Sequence, residues 1–209
     1  MSRSLPIDWA LKRVRAICGC FNIDEVCQLM AGTGTGALIA CMIALLGMDI
    51  DEAIIAYSCL IERVFSDKKM ISTSGSGTYK ANRLEDELKA MVRGATGDEN
   101  TRMMMQAEAK EKCRVMVFAM SAHSMTASTP RIFRSYQGPN NQMPDCPVWQ
   151  VIRASMAHPE LFKSMTIDDG VVPESLVGGD VGCSNPTRHV LAEDTLARSR
   201  YLNHVEILF

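Results

Sequence analysis

The chain has 209 residues and a mass of 23.0 kDa, enough for one domain whose core needs no staples. Hydrophobic residues make up 47% and charged residues 22%, a globular balance that excludes disordered and fibrous classes. A net charge of −2 with no basic run argues against nucleic acid as a partner.

In chain order, residues 5–17 predict a first helix, with Leu11, Val14 and Ile17 on one side. Residues 26–31 read as a strand. Gly32-Thr33-Gly34-Thr35-Gly36 is then a tight turn into an apolar helix from Ala37. That apolar run ends at Leu46 before Gly47, too short to span a bilayer. Asp49, followed three residues later by Glu52, signals a capping box. Ala53, Tyr57, Leu60 and Val64 follow at helical spacing. Residues 72–78 are rich in serine and glycine and predict a flexible surface loop. A third helix fits Asn82 to Arg93, stopped by Gly94.

Cys113 to Met120 and Arg131 to Gln137 carry the residue types of strands. Pro147 to Ala157 predicts a helix with proline at its start. Leu176 and Val177 suggest a short strand ending at Gly178, Pro186 to Ala197 a helix, and His204 to Phe209 a last strand. Strands alternating with helices favour an α/β layered fold with a largely parallel sheet. The chain starts without a strand and stops inside one, so residues 1–209 read as a single partial domain, incomplete at both ends.

Eight cysteines lie at 18, 20, 27, 41, 59, 113, 146 and 183. Residues 1–16 carry Arg3, Lys12, Arg13 and Arg15 and no long apolar run, unlike a secretory signal. The thiols are therefore expected to be reduced core residues of a cytoplasmic protein. Cys18 and Cys20 have no second Cys/His pair at zinc spacing, so no metal and no cofactor is expected.

The glycine-rich turn admits three readings. Backbone N–H groups at a helix start favour an anion, yet G-x-G-x-G is not G-x-G-x-x-G and no Lys-Ser/Thr pair follows. A nucleophile elbow places a serine at the centre of G-x-S-x-G, and here the centre is Gly34. A plain glycine turn lets strand and helix pack closely. The turn alone leaves the last two readings open.

Three further segments bear on the choice. Arg153-Ala-Ser-Met-Ala-His-Pro-Glu-Leu-Phe162 and Val177-Gly-Gly-Asp-Val-Gly-Cys-Ser-Asn-Pro186 resemble the R-A-[ST]-S-A-A-P-x-x-F and V-D-G-G-x-x-x-N-N-P motifs of the patatin-like phospholipases. Leu29-Met-Ala-Gly-Thr-Gly-Thr-Gly-Ala-Leu-Ile39 resembles that family's elbow, L-I-A-G-T-S-T-G-G-L-I. Phe133-Arg-Ser-Tyr136 followed by Pro139-Asn-Asn141 is similar to its fungal branch. The resemblance implies an α/β-hydrolase-like fold and a metal-free Ser–Asp dyad acting on phospholipids or acylglycerols. It also implies an upstream G-G-G-x-R-G loop for the oxyanion.

This chain departs from the family at each catalytic element. The nucleophile position is Gly34, within Gly32, Thr33, Thr35 and Gly36; the acid position is Gly178; and the oxyanion loop is absent from these residues. Covalent acyl transfer needs the hydroxyl, its base and the oxyanion donors together. Asp180 is a candidate surrogate acid: a shifted turn could bring it near the site, although two residues along an extended strand is roughly 6.6 Å. Thr33 and Thr35 should point away from the elbow tip, and Cys183 reads as a structural thiol. Met156 and His158 replace small family residues, either narrowing a lipid pocket or repacking a helix end. His123 reads as a loop residue, His189 and His204 have no acidic partner at useful spacing, and Met103 to Met105 read as a packing surface.

The expectation is a degenerate, truncated member of the family, without catalysis, that binds an acyl lipid or a protein partner. Peripheral membrane contact fits that role, and no transmembrane segment is expected. An active lipid acyl hydrolase and a non-functional gene fragment are the alternatives.

Overall fold

A computed structural model describes residues 29–66, 77–104, 113–123, 129–138, 143–168, 173–197 and 205–208. The helix expected over 5–17, Cys18, Cys20, Cys27, His204, most of the 72–78 loop and Pro139–Asn141 lie outside the described residues.

Strand β1 (Leu29–Thr33) leads through Gly34 into helix α1 (Thr35–Ala40), which continues as a π-helical segment, Cys41–Leu45. Helix α2 spans Ile50–Phe65 and α3 Ala81–Thr96. Strands β2 (Arg114–Ser121) and β3 (Arg131–Arg134) follow, then α4 (Val148–Ser155). Strands β4 (Met165–Ile167) and β5 (Glu174–Gly178) precede a 3₁₀ turn at Gly179–Val181. Helix α5 (Thr187–Ala197) and strand β6 (Val205–Leu208) complete the described order.

The sheet runs β4-β5-β2-β1-β6, with β3 also on β2. Strand β1 is parallel to both β2 and β6, whereas β2–β3, β2–β5 and β4–β5 are antiparallel. The sheet is therefore mixed, which corrects the largely parallel expectation. Parallel neighbours need a crossover of a dozen or more residues, usually through a helix. Residues 122–130 and 168–173 are too short for that, so β3 and β5 return antiparallel to the strands before them.

Both faces of the central strands are covered. Along β1 and β2, Met30, Val115, Val117 and Ala119 enter a large core with Leu38, Met42, Leu60, Leu84, Leu88 and Ile152 of α1 to α4 and the π segment. The alternate residues Leu29, Ala31, Met116, Phe118 and Met120 enter a smaller core with Val177, Cys183 and Val190 of α5. Alternating faces that are both apolar explain why these strands read as continuous hydrophobic runs.

Local signals set most helix ends. The capping box is present: the Glu52 N–H donates to Asp49 Oδ1 (2.8 Å) and the Asp49 N–H to Glu52 Oε2 (3.0 Å). Helix α3 runs past Gly94 and stops where Gly97 turns left-handed at φ +83°, its N–H donating to the Arg93 carbonyl at 2.8 Å. Pro147 caps α4 from outside, one position before the helix. No described helix is long and apolar enough to cross a membrane.

Candidate functional site

The turn between β1 and α1 is a sharp one. Gly34 sits at φ +56°, ψ −123°, a conformation that side-chain-bearing residues rarely adopt. A Cβ built there would meet nothing within 4 Å, so the constraint at 34 is backbone strain and not lack of room. Gly32 is required for the opposite reason: its Cβ would overlap the Gly36 carbonyl and the Ala37 nitrogen. The turn thus has the shape of a nucleophile elbow with no side chain at its tip.

Helix α4 fixes this turn through one hydroxyl. Ser155 Oγ accepts the Gly34 N–H (2.9 Å) and donates to the Phe118 carbonyl of β2 (2.7 Å). Ser155 is fully buried, and its bond to Phe118 forms away from water, while Gly34 is half-buried. The chain leaving α4 then lies along the end of β5, where the Gly178 N–H donates to the Ala157 carbonyl at 2.9 Å.

At Gly178 the backbone is ordinary, with φ −52° and ψ 136°. A Cβ at 178 would overlap Asp180 Oδ1 and lie 3.1 Å from the His158 nitrogen and 3.2 Å from the Ser155 carbonyl oxygen. The expected separation of Asp180 from this place assumed an extended strand. The strand ends at Gly178, and the 3₁₀ turn brings the Asp180 carboxylate back over it. Gly179 permits a further close approach, because a Cβ there would overlap the Phe118 carbonyl and Thr33 Oγ1. Ser155 therefore stands between Gly34, whose N–H its Oγ accepts, and Gly178, whose Cβ position lies beside its carbonyl oxygen.

The neighbouring groups are structural. Thr33 is buried, its Oγ1 without a hydrogen-bond partner among the described residues, while Thr35 is exposed beside the turn. Arg153 is 1% exposed and anchors α4: Nη2 donates to the Lys163 carbonyl (2.7 Å) and Nε lies 3.3 Å from Glu85 Oε1 of α3. Burial pulls its pKa down, and Glu85 pulls it back up. Met156 belongs to the larger core, which favours repacking over a narrowed pocket, and half-buried His158 accepts the Glu160 N–H through Nδ1 at 3.3 Å. Burial raises the Cys183 thiol pKa, as expected of a packing residue. Of the five described cysteines four are buried; Cys59 is exposed, contrary to the core expectation.

His123 is exposed after β2, and His189 packs with its ring centroid 6.1 Å from Phe118. Met103 is buried in the larger core, as a packing residue should be. A cleft of about 650 Å³ between α2 and α3 is lined by Met48, Ile55, Cys59, Arg63, Glu87 and Met91 among others. None of the elbow residues borders it.

The role of Ser155 was not assigned from sequence, although it stands inside the Arg153–Phe162 motif. No local pattern marks a serine that ties a turn 121 residues away. A shifted turn that returns Asp180 was one of two possibilities, because Gly-Gly-Asp-Val-Gly fits either a strand end or a bend.

No curated protein matches the chain. Among solved structures, VipD from Legionella pneumophila is similar at 14% identity and a TM-score of 0.46, over 83% of this chain and 43% of that one. The chain thus spans less than half the length of that structure. A family model described as patatin-like phospholipase matches residues 10–189, spanning the elbow, the Ser155 segment and the Gly178–Asp180 turn, and the chain belongs to that family.

Proposed function

We propose that this chain is a patatin-like phospholipase domain without serine-based catalysis, which binds an acyl lipid or a protein partner in place of hydrolysing one. The observation that carries the reading is the elbow at Gly34. Its backbone holds the strained conformation of a nucleophile turn and leaves the side-chain space open, and no hydroxyl is there. A glycine adopts this conformation with little strain, whereas a serine there would cost about 1–3 kcal/mol. Covalent acyl transfer has no side chain to start from at position 34, Thr33 is buried at the sheet end, and Gly178 carries no carboxylate. The free thiols accord with a cytoplasmic setting.

The test is chemical. Purified protein is expected to leave phospholipid and p-nitrophenyl acyl esters unhydrolysed above background, and a fluorophosphonate probe is expected to leave it unlabelled. Stoichiometric labelling of a single serine would sink the reading in favour of an active lipid acyl hydrolase.

A further inference from the structure

The cleft between α2 and α3 has walls with the spacing of a helix seam. Glu52, Ala56, Cys59 and Arg63 line it from α2, at steps of four, three and four. Glu87, Met91 and Gly94 line it from α3, at steps of four and three. Residues so spaced stand in a row along one side of a helix. A groove walled by two such rows fits a third helix laid along it. Small residues at Ala56, Ala90, Gly94 and Ala95 let that helix come close. The same surface also carries the matching projection. Ile55 on the rim is 64% exposed, and Cys59, one turn on, is the one exposed cysteine among the described residues. A projection and a groove on one surface have the form of an isologous two-fold contact, in which each copy fills the other.

Charge selects the occupant. The row on α2 starts acidic at Glu52 and ends basic at Arg63. Two copies of α2 laid antiparallel set Glu52 of each against Arg63 of the other, with Ala56 opposite Cys59 between them. A parallel pair would set like charges together at both ends. Arg63 already donates to Glu87 through Nη1 at 3.0 Å, but its side chain is 60% exposed, and a guanidinium has five N–H groups to share between two carboxylates. These charges lie at the open ends of the contact, where water still reaches them. We infer that this chain forms a two-fold dimer through antiparallel α2 helices, with Ile55 of each copy seated in the α2–α3 cleft of the other. The inference is independent of the elbow reading, because none of the elbow residues borders the cleft.

The experiment is sedimentation equilibrium of the full chain, from micromolar to near-millimolar concentration. The mass is expected to rise from that of one chain to that of two. Ile55→Asp removes the projection, and Ala90→Arg fills the groove. Both positions are exposed on helices, so the core is untouched. Each variant, with an unchanged helical circular dichroism signal, is expected to dimerise more than about tenfold more weakly. Leu191→Asp, at a residue 56% exposed on α5, is expected to leave the dimer intact.

Cys59 reports the register. In the antiparallel pair the two Cys59 Cα atoms are offset by about 4.5 Å along helices whose axes lie about 8–10 Å apart. A short bismaleimide should therefore join Cys59 to Cys59, each thiol adding across one maleimide double bond, as peptide mapping would show. A monomer at every concentration would overturn the inference, whether or not its cleft takes up an acyl chain or another protein's helix. A dimer indifferent to both Ile55→Asp and Ala90→Arg, or one without the Cys59–Cys59 link, would place the contact elsewhere and overturn it equally.

Discussion

Ser155 Oγ holds the Gly34 N–H at 2.9 Å while donating to the Phe118 carbonyl at 2.7 Å, so one buried hydroxyl ties helix α4 to both the elbow and the central strand β2. Ser155→Ala leaves the buried Phe118 carbonyl and the half-buried Gly34 N–H without this partner. Each unsatisfied buried group costs about 1–3 kcal/mol. The urea midpoint should fall by that order. Ser58→Ala serves as the comparison: its hydroxyl bonds the Ile54 carbonyl on the exposed side of α2, and the change should stay within about 0.5 kcal/mol. Equal effects would mean that the Ser155 bonds do not hold the turn.

The elbow itself makes a prediction of opposite signs at two glycines. Gly34 lies at φ +56°, so Gly34→Ala should destabilise by about 1–3 kcal/mol even though its Cβ would meet no atom. Gly94 lies within α3 with open space around its Cβ, so Gly94→Ala should stabilise by about 0.4–1 kcal/mol. Gly77, in the serine-rich segment, is no neutral reference. It sits at φ +66°, and a Cβ there would crowd the Phe162 backbone. A stabilised Gly34→Ala variant would mean that the elbow strain is absent in solution.

Helices α2 to α4 were legible because their signals are local: the Asp49–Glu52 box, the 3.6-residue spacing and Pro147. Strand β2 was legible because both its faces are apolar. The end of α3 was misplaced because glycine alone does not stop a helix; the left-handed angle at Gly97 does, and Gly94 stays helical. Strand β4 is three residues long and carries too little pattern to be seen. The mixed sheet followed from connection lengths, which a list of strands and helices underuses. At the site, Gly34 and Gly178 were legible by motif. The Ser155 tether was not, since it joins segments remote in sequence, and the return of Asp180 was only one of two possible shapes of its turn.

Two ion pairs of similar chemistry should differ in worth. Arg153 is 1% exposed and pairs with Glu85 at 3.3 Å, whereas Arg63 pairs with Glu87 at 3.0 Å with its own side chain 60% exposed. Removing the partner of a buried charge leaves that charge uncompensated, at up to about 3–5 kcal/mol. Glu85 is itself 26% exposed, so water softens the loss and Glu85→Gln is expected to cost about 1–3 kcal/mol. Glu87→Gln removes a solvent-screened pair and should cost less than Glu85→Gln. Denaturation of the two variants side by side, repeated at high salt, checks this; a larger loss for Glu87→Gln would reverse the roles given to the two arginines.

His189 gives the molecule a pH dependence of stated sign. Burial, and secondarily the charge of Arg188, lower its pKa below the usual 6.5. The unfolded chain therefore binds a proton at this site more readily than the folded one. Its contribution to stability is present above about pH 6.5 and is lost as pH falls through the lowered value. His189→Gln removes the titration while keeping a side chain that can occupy the place beside Phe118. The variant's stability should fall less than the parent's between neutral and mildly acidic pH, by an amount that urea midpoints measured across that range will show. A parent and variant that lose stability in parallel would show that His189 binds protons equally in the folded and unfolded states.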